Sequence, residues 1–246
     1  MTSTAIVGST GLVGSHILTT LLIHPSISSV SSFSRRDPPT KDPKLQPLVS
    51  SDTSTWPTTL STLTPIPSIL FSALGTTKAA AGSIAAQRAI DYTLNLSLAQ
   101  SAKTAGVKVY VLISSGGANA QSMFAYPKMK GELEDAVKAL GFEHVVILRP
   151  GLIVGEREES RPAEWVFRKI AGVMGGVRAG LKDVWAQDDV VIARAGVAAG
   201  LKALEGGEKV VELGQSDIVR LGRTEWKVVE LGQSDIVRLG RTEWKV

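Results

Sequence analysis

The sequence predicts an α/β fold: a doubly wound, mostly parallel sheet with helices on both faces, in a single domain that ends in a small C-terminal region. Three observations carry this. Short apolar runs alternate with stretches of helical periodicity, the pattern of βαβ units. The first apolar run passes through a glycine-rich turn directly into a helix. The chain has 246 residues, but Lys209–Val228 recurs verbatim as Lys227–Val246 at an offset of 18, which leaves 228 non-redundant residues, the size of one α/β domain. Two copies of an 18-residue unit are too few for a solenoid. The first copy, Val210–Lys227, can supply the last strand of the sheet. The second, residues 229–246, has no vacant place there except at an exposed edge or by swapping with the first, and it reads as a loosely packed tail.

In chain order, Thr4–Val7 is a short buried strand, followed by Gly8-Ser9-Thr10-Gly11-Leu12-Val13-Gly14. Leu12, Val13, Ile17, Leu18, Leu21 and Leu22 then recur at helical spacing. Val30–Phe33 reads as a second strand, ending at Ser34-Arg35-Arg36. Residues 37–56, rich in Pro, Ser, Thr and Asp, read as loops around a short third strand near Leu48-Val49. Ser68–Ala73 is a fourth apolar run, ending in Leu74-Gly75-Thr76-Thr77. A long helix is expected from about Ser83 to Ala105, stopped by Gly106 at the C′ position. Val109–Ile113 is a buried strand closed by Ser114-Ser115-Gly116-Gly117. Lys128–Leu140 reads as a helix ending at Gly141, and His144–Leu148 as the next strand, stopped by Arg149-Pro150-Gly151. From Leu152 the pattern is less regular, with one more helix expected within Asp188–Leu204. Val173–Gly180 reads either as a segment over a pocket or as a surface turn, and Trp165 and Trp185 either line that pocket or sit in the core.

Composition narrows the function classes. With 43% hydrophobic and 20% charged residues the chain is no disordered polyelectrolyte. Lys and Arg are scattered over a net charge of +4, without a basic block, so no nucleic-acid partner is expected. The absence of cysteine excludes disulfides, thiolate zinc sites and cysteine nucleophiles. His16, His24 and His144 stand far apart in no ligand spacing, so no metal is expected. No run of 18 apolar residues predicts a membrane-spanning helix. A buried strand that begins by Thr4 leaves no room ahead of it for an ordinary targeting peptide.

Three constellations carry chemistry. Gly8-x-x-Gly11-x-x-Gly14 lies where a strand turns into a helix. Gly8 permits the tight turn, Gly11 lets the backbone approach a pyrophosphate, and Gly14 lets the helix pack closely on the sheet. The free N–H groups of that helix terminus then face the phosphates, so the seven residues Gly8 to Gly14 are candidate dinucleotide ligands. At the end of the second strand an acidic residue would bind the adenosine ribose 2′-hydroxyl, whereas arginine accommodates a 2′-phosphate. Arg35 and Arg36 precede Asp37 here, which favours NADP(H) over NAD(H) because a guanidinium matches phosphate in bidentate geometry. Third, Ser114-Ser115 precedes Tyr126-x-x-x-Lys130. Residues four apart share a helix face, so a lysine ammonium beside the phenol is expected to lower its pKa and poise it to move a proton at a substrate oxygen.

With these residues in view, the sequence resembles the short-chain dehydrogenase/reductase superfamily in its atypical branch. It looks most like the fungal "found in mitochondrial proteome" family, related to animal Tat-interacting oxidoreductases. The matching segments are Val7–Gly14, Ala73–Thr77, Leu112–Ser115, Tyr126-x-x-x-Lys130-Gly131-Glu132 and Leu148–Gly151, with a weaker match at Gly214–Ile218. The resemblance implies a Rossmann-type domain whose substrate region is about 152–228. It implies that Gly8, Gly11 and Gly14 line the pyrophosphate, Arg35 and Arg36 the 2′-phosphate, and Leu74-Gly75 the riboses. It makes Ser115 the substrate-orienting serine, with Ser114 the adjacent alternative. Tyr126 becomes the general acid/base, and Lys130 the residue that binds the nicotinamide ribose and tunes Tyr126. The loop after Pro150-Gly151 would contact the carboxamide. A peripheral position on the cytosolic face of the mitochondrial outer membrane is also implied.

Two functions follow as expectations. The first is an NADP(H)-dependent oxidoreductase acting on a small carbonyl or alcohol through Ser-Tyr-Lys. The second is an NADPH-binding regulatory or scaffold protein, whose nucleotide occupancy controls a protein partner or a membrane contact without significant turnover. Neither the substrate nor the oligomeric state is encoded in a readable motif.

Overall fold

A computed structural model describes residues 1–154 and 186–223. The apolar runs become β1 (Thr2–Val7), β2 (Ile27–Ser34), β3 (Leu45–Val49), β4 (Ile69–Ser72), β5 (Val109–Ile113), β6 (His144–Leu148), β7 (Leu152–Val154), β8 (Ala186–Asp188) and β9 (Val210–Leu213). Seven of them form one parallel sheet in the order β3-β2-β1-β4-β5-β6-β9, and β7 pairs with β8 beside it. Strands covered on both faces carry apolar runs: Ala5, Ile6 and Val7 of β1 and Ile69, Leu70 and Phe71 of β4 are fully buried. Pro47 is accommodated in β3 because β3 is an edge strand.

The helices are α1 (Leu12–Ile23), α2 (Trp56–Ser61), α3, α4 (Ala125–Ala139) and α5 (Asp189–Leu204). Helix α3 runs continuously as Ile84–Arg88, a π-helical turn at Ala89–Leu94, and Asn95–Ala105. A single helical turn, Lys78–Ala81, precedes it, and residues 215–223 form a last helix. α1 and α5 cover one face of the sheet, where Ile17, Leu21, Ile192 and Val197 share a core with Ile218 and Leu221. α2, α3 and α4 cover the other face, through Trp56, Leu60, Leu98, Ala102, Leu133 and Val137. This is the doubly wound architecture that the alternation of apolar and helical segments predicts.

The structure differs from the sequence expectations in two elements. The helix expected at Lys128 begins at Ala125, because first-turn amides need no intrahelical acceptor and Pro127 therefore fits inside the helix. The helix expected over Ser83–Ala105 is interrupted by the π turn. The segment Val173–Gly180, Trp165, Trp185 and the second copy of the repeat lie outside the described residues.

Candidate functional site

From β1 the sheet builds outward through β2 and β3, and from β4 the other way through β5 and β6. The chain reverses its winding between β1 and β4, and the carboxyl ends of these two strands therefore border a crevice. The glycine turn sits there. Gly8 has φ +83°, and a Cβ at this position would lie 2.6 Å from the Ala73 carbonyl oxygen at the end of β4. A Cβ on Gly14 would lie 2.0 Å from the carbonyl oxygen of Gly8. Any other residue at Gly14 would push α1 off the turn. At Gly11 a Cβ would meet only the Gly8 oxygen, at 3.2 Å. The first turn of α1 carries no acidic residue and no side-chain cap, so its leading N–H groups keep their partial positive charge. Ser9 is fully buried and accepts a 2.7 Å hydrogen bond from Ser32, while Val13 points into the core. These two residues can offer a ligand only their backbone. Thr10 and Leu12 are half-buried.

At the end of β2, Ser34 is buried and its hydroxyl lacks a hydrogen-bond partner. Arg35 and Arg36 follow it, exposed and in no salt bridge with a described residue. Across the crevice the segment Leu74–Thr76 is held from below by a polar stripe on α3. Thr76 N–H donates to Asp91 Oδ1 at 2.7 Å, Gln87 donates to the Thr76 carbonyl at 3.0 Å, and Asn95 Nδ2 donates to the Leu74 carbonyl at 3.3 Å. Gln87, Asp91 and Asn95 are all buried.

Tyr126 and Lys130 stand one turn apart on α4, below the end of β5. The two adjacent serines separate by role. Ser114 is buried and its hydroxyl is given to Glu134 Oε1 at 2.5 Å, whereas the hydroxyl of Ser115 acts on the Tyr126 phenol and favours its ionised form. Lys130 is buried and donates to the Ile113 carbonyl at 3.1 Å. Its burial pushes the ammonium below the usual lysine range, against the opposing pull of the Asp91 and Glu134 carboxylates. Asp91 is pushed upward by burial, opposed by Lys130, the Thr76 N–H and Gln87.

The expected lowering of the Tyr126 pKa by Lys130 is corrected here. Burial raises it above the ordinary 10.0, the Asp91 carboxylate raises it further, and only the Ser115 hydroxyl opposes them. Lys130 spends its charge on the carboxylates and the Ile113 carbonyl instead. Tyr126 is not sealed from solvent, with 41% of its surface exposed.

Glu134 anchors the far side of the site. Its carboxylate accepts from Arg149 Nε at 3.1 Å and from Arg149 Nη2 at 2.5 Å, and Arg149 also pairs with Glu212 at 2.7 Å. Next to it a cavity of about 650 Å³ opens past β5, β6 and β9, lined by Gly116, Arg149, Gly214, Gln215, Ser216 and Val219. The sequence expectations omitted Gln87, Asp91, Asn95 and Glu134. A signal existed for each. Residues 87, 91 and 95 continue the apolar stripe of α3 at four-residue spacing, and residues 126, 130 and 134 do the same on α4.

The strand order, the reversal between β1 and β4, and the glycine turn at that reversal define a doubly wound domain of the Rossmann type. Solved structures share this fold. The Bordetella bronchiseptica enzyme WbmH in complex with NAD+ superposes with a TM-score of 0.63 at 18% identity, covering 87% of this chain and 75% of that one. MoeE5 in complex with UDP-glucose and NAD gives 0.64 at 18% identity, covering 86% and 75%. The UDP-glucuronic acid 4-epimerase of Bacillus cereus in complex with NAD gives 0.62 at 16%, covering 86% and 76%. The chain belongs to the HIM1 family, whose model matches residues 42–171. Its curated relatives include the mitochondrial protein fmp52 of Aspergillus fumigatus, 58% identical over 231 residues that cover 90% of this chain and 99% of that protein. The mitochondrial protein fmp-52 of Neurospora crassa is 51% identical, covering 92% and 97%.

Because Glu134 is buried and bound by Arg149 and Ser114, Glu134→Gln is expected to destabilise the fold by about 3 kcal/mol. Glu132, paired with Arg88 at the surface, should cost less than about 1 kcal/mol when changed to Gln. Urea unfolding of the two variants checks the contrast, and equal losses would show that Glu134 does not anchor the site.

Proposed function

We propose that the protein is an NADP(H)-dependent oxidoreductase that transfers hydride to or from a small carbonyl or alcohol. The observation that carries this reading is the convergence of Ser115, Tyr126 and Lys130 beside the Leu74–Thr76 segment, at the crevice that holds the glycine turn. The residues present fit a dinucleotide. The first-turn amides of α1 are uncapped, Gly11 leaves room for phosphate to reach the backbone, and the orphan hydroxyl of Ser34 stands ahead of Arg35 and Arg36, which no described acid pairs. Gly8 to Gly14 would hold the pyrophosphate, Arg35 and Arg36 the 2′-phosphate, and Leu74-Gly75 the riboses.

When bound, the nicotinamide supplies or accepts hydride. The protein supplies the proton. Tyr126, held as a neutral phenol by burial and by Asp91, can donate its proton to the oxygen of a carbonyl as hydride reaches the carbon. Ser115, at the end of β5 beside that phenol, can orient the same oxygen. Lys130 uses one of its three N–H donors on the Ile113 carbonyl and keeps the others for a ribose hydroxyl. The cavity beside Arg149 is the space in which a substrate would lie.

Titration with NADPH and NADH, followed by NADPH oxidation against a panel of carbonyls, tests this. Tyr126→Phe should lower turnover by about 10² to 10⁴-fold while NADPH still binds. Reduction should stay flat through neutral pH and fall only as Tyr126 ionises, above pH 10. The paired change Arg35→Ala and Arg36→Ala should cost NADPH about tenfold or more in affinity and leave NADH little changed. Tight NADPH binding without Tyr126-dependent turnover would favour the regulatory or scaffold role instead. A native preference for NADH would remove the role given to the two arginines.

The relatives named mitochondrial support a mitochondrial location. The peripheral, cytosolic-face position on the outer membrane is our refinement, compatible with a described chain in which no helix is long and apolar enough to cross a membrane. Protease added to intact mitochondria should degrade the protein. Protection until the outer membrane is ruptured would contradict this placement.

A further inference from the structure

Apart from Met1, the two most exposed large apolar side chains among the described residues are consecutive. Met123 is 98% exposed and Phe124 76%, immediately ahead of α4. Single apolar side chains at a surface are ordinary, but this pair is held outward by a built loop. Asn119 N–H donates to the Pro127 carbonyl at 3.0 Å, Asn119 Oδ1 accepts from the Gln121 N–H at 2.8 Å, and Phe124 N–H donates to Ser122 Oγ at 3.2 Å. The loop also lies against the backbone of α4, where a Cβ on Gly131 would fall 2.1 Å from the Ala120 nitrogen. Phe124 moreover occupies the N-cap of α4 and makes no capping hydrogen bond, at a position where Ser, Thr, Asp or Asn would stabilise the helix. Neither side chain is buried by the described chain.

The surroundings of the pair are positively charged. Helices α3 and α4 follow neighbouring parallel strands on one face of the sheet, so both begin at its carboxyl edge. The Arg88–Glu132 ion pair at 2.5 Å ties them together. One turn nearer that edge stand Ile84 on α3, 41% exposed, and the exposed Lys128 on α4. Lys128 is one turn below Phe124, whose carbonyl accepts its N–H at 3.0 Å. Lys78, in the helical turn ahead of α3, is exposed as well. Neither lysine is in an ion pair with a described residue. Over residues 53–131 the sequence holds six bases and a single acid, Asp91, which is buried.

We propose that Met123 and Phe124, with Ile84, Lys78 and Lys128 around them, form the surface by which the protein docks on an anionic lipid leaflet. The shape favours lipid over a protein partner. A stable protein interface takes about 800 Å² from each side, a face rather than a tip. An interfacial anchor needs only apolar side chains that pass below the headgroups and cations that stay among the phosphates. Phe124 and Lys128, one helical turn apart, stand in that order. The inference rests on the peripheral location proposed above for the identity of the membrane, but not for the lipid contact itself. It also sets Tyr126, two residues from Phe124 and 41% exposed, at the lipid surface.

The test is sedimentation of the full chain with vesicles of phosphatidylcholine alone and of phosphatidylcholine mixed with phosphatidylglycerol. Binding is expected to the anionic vesicles and should weaken with salt. Met123→Ser/Phe124→Ser should lower it about tenfold or more, and Lys128→Gln about fivefold. Phe124→Ser also supplies a favoured N-cap, so lost binding would not come from a weakened α4. Ile66, 52% exposed ahead of β4 at the opposite edge of the sheet, provides the control, and Ile66→Ser should bind as the parent does. A double variant that sediments like the parent would overturn the proposal, and the location reading would still stand if protease degrades the protein on intact mitochondria. A parent that binds neither vesicle would overturn it too. Binding through Met123 and Phe124 by a protein that is protected in intact mitochondria would uphold the surface and remove the outer-membrane face. A dimer on gel filtration that is lost in the double variant, with vesicle binding unchanged, would overturn the lipid assignment and give the patch to a second copy of this chain.

Discussion

The structure turns on the approach of α1 to the end of β1. With a Cβ on Gly14 destined to fall 2.0 Å from the Gly8 carbonyl oxygen, only a bare glycine lets the helix begin where it does. That position aims the uncapped first turn of α1 at the crevice between β1 and β4. A second close approach, of Gly8 to the Ala73 carbonyl, joins the turn after β1 to the segment after β4. The two walls of the crevice are therefore one packed unit. Everything assigned to dinucleotide recognition depends on that contact, because a shift of α1 by the width of a methyl group would carry the phosphate-facing amides away from Leu74–Thr76.

Around this apolar constraint the carboxyl edge of the sheet is held by buried polar groups, each paired across elements. Asn95 joins α3 to β4, Asp91 and Gln87 join α3 to the segment after β4, and Glu134 joins α4 to β5 and β6. Buried polar groups that are fully partnered specify one arrangement, whereas a half-partnered set would be worse than an apolar core. The same inventory explains the Tyr126 phenol. A lysine one helical turn away does not by itself lower a tyrosine pKa when its charge is already answered by carboxylates. At this site burial and Asp91 decide the direction.

Much of the fold was legible from local pattern alone. β5 and β6 fall on the residues that the apolar runs mark, and the turn at Gly8–Gly14 stands between a strand and a helix as its spacing requires. Lone residues and long-range partners were less legible. Nothing in the adjacent Ser114-Ser115 says which hydroxyl is taken. That depends on Glu134, twenty residues on, and on the pitch of α4 against β5. Asp91 and Asn95 read as ordinary helix residues because periodicity reports the buried face and not what a polar side chain meets there. Pro127 concealed the first turn of α4, since a proline marks a boundary in sequence while the first three amides of a helix tolerate it. The Tyr126 pKa was misjudged for a related reason: spacing on one helix shows one neighbour and omits the carboxylate on the next.

The central claim is that a phosphorylated dinucleotide lies in the crevice between β1 and β4, on the first turn of α1. Amide hydrogen exchange on the intact chain, with and without saturating NADPH, tests it at the atoms concerned. Slowed exchange at Gly11 to Gly14 and at Gly75-Thr76, with Gly214 to Ser216 unchanged until a substrate is added, is the predicted result. Binding of NADPH that leaves the amides of Gly11 to Gly14 exchanging at their free rate would contradict the account.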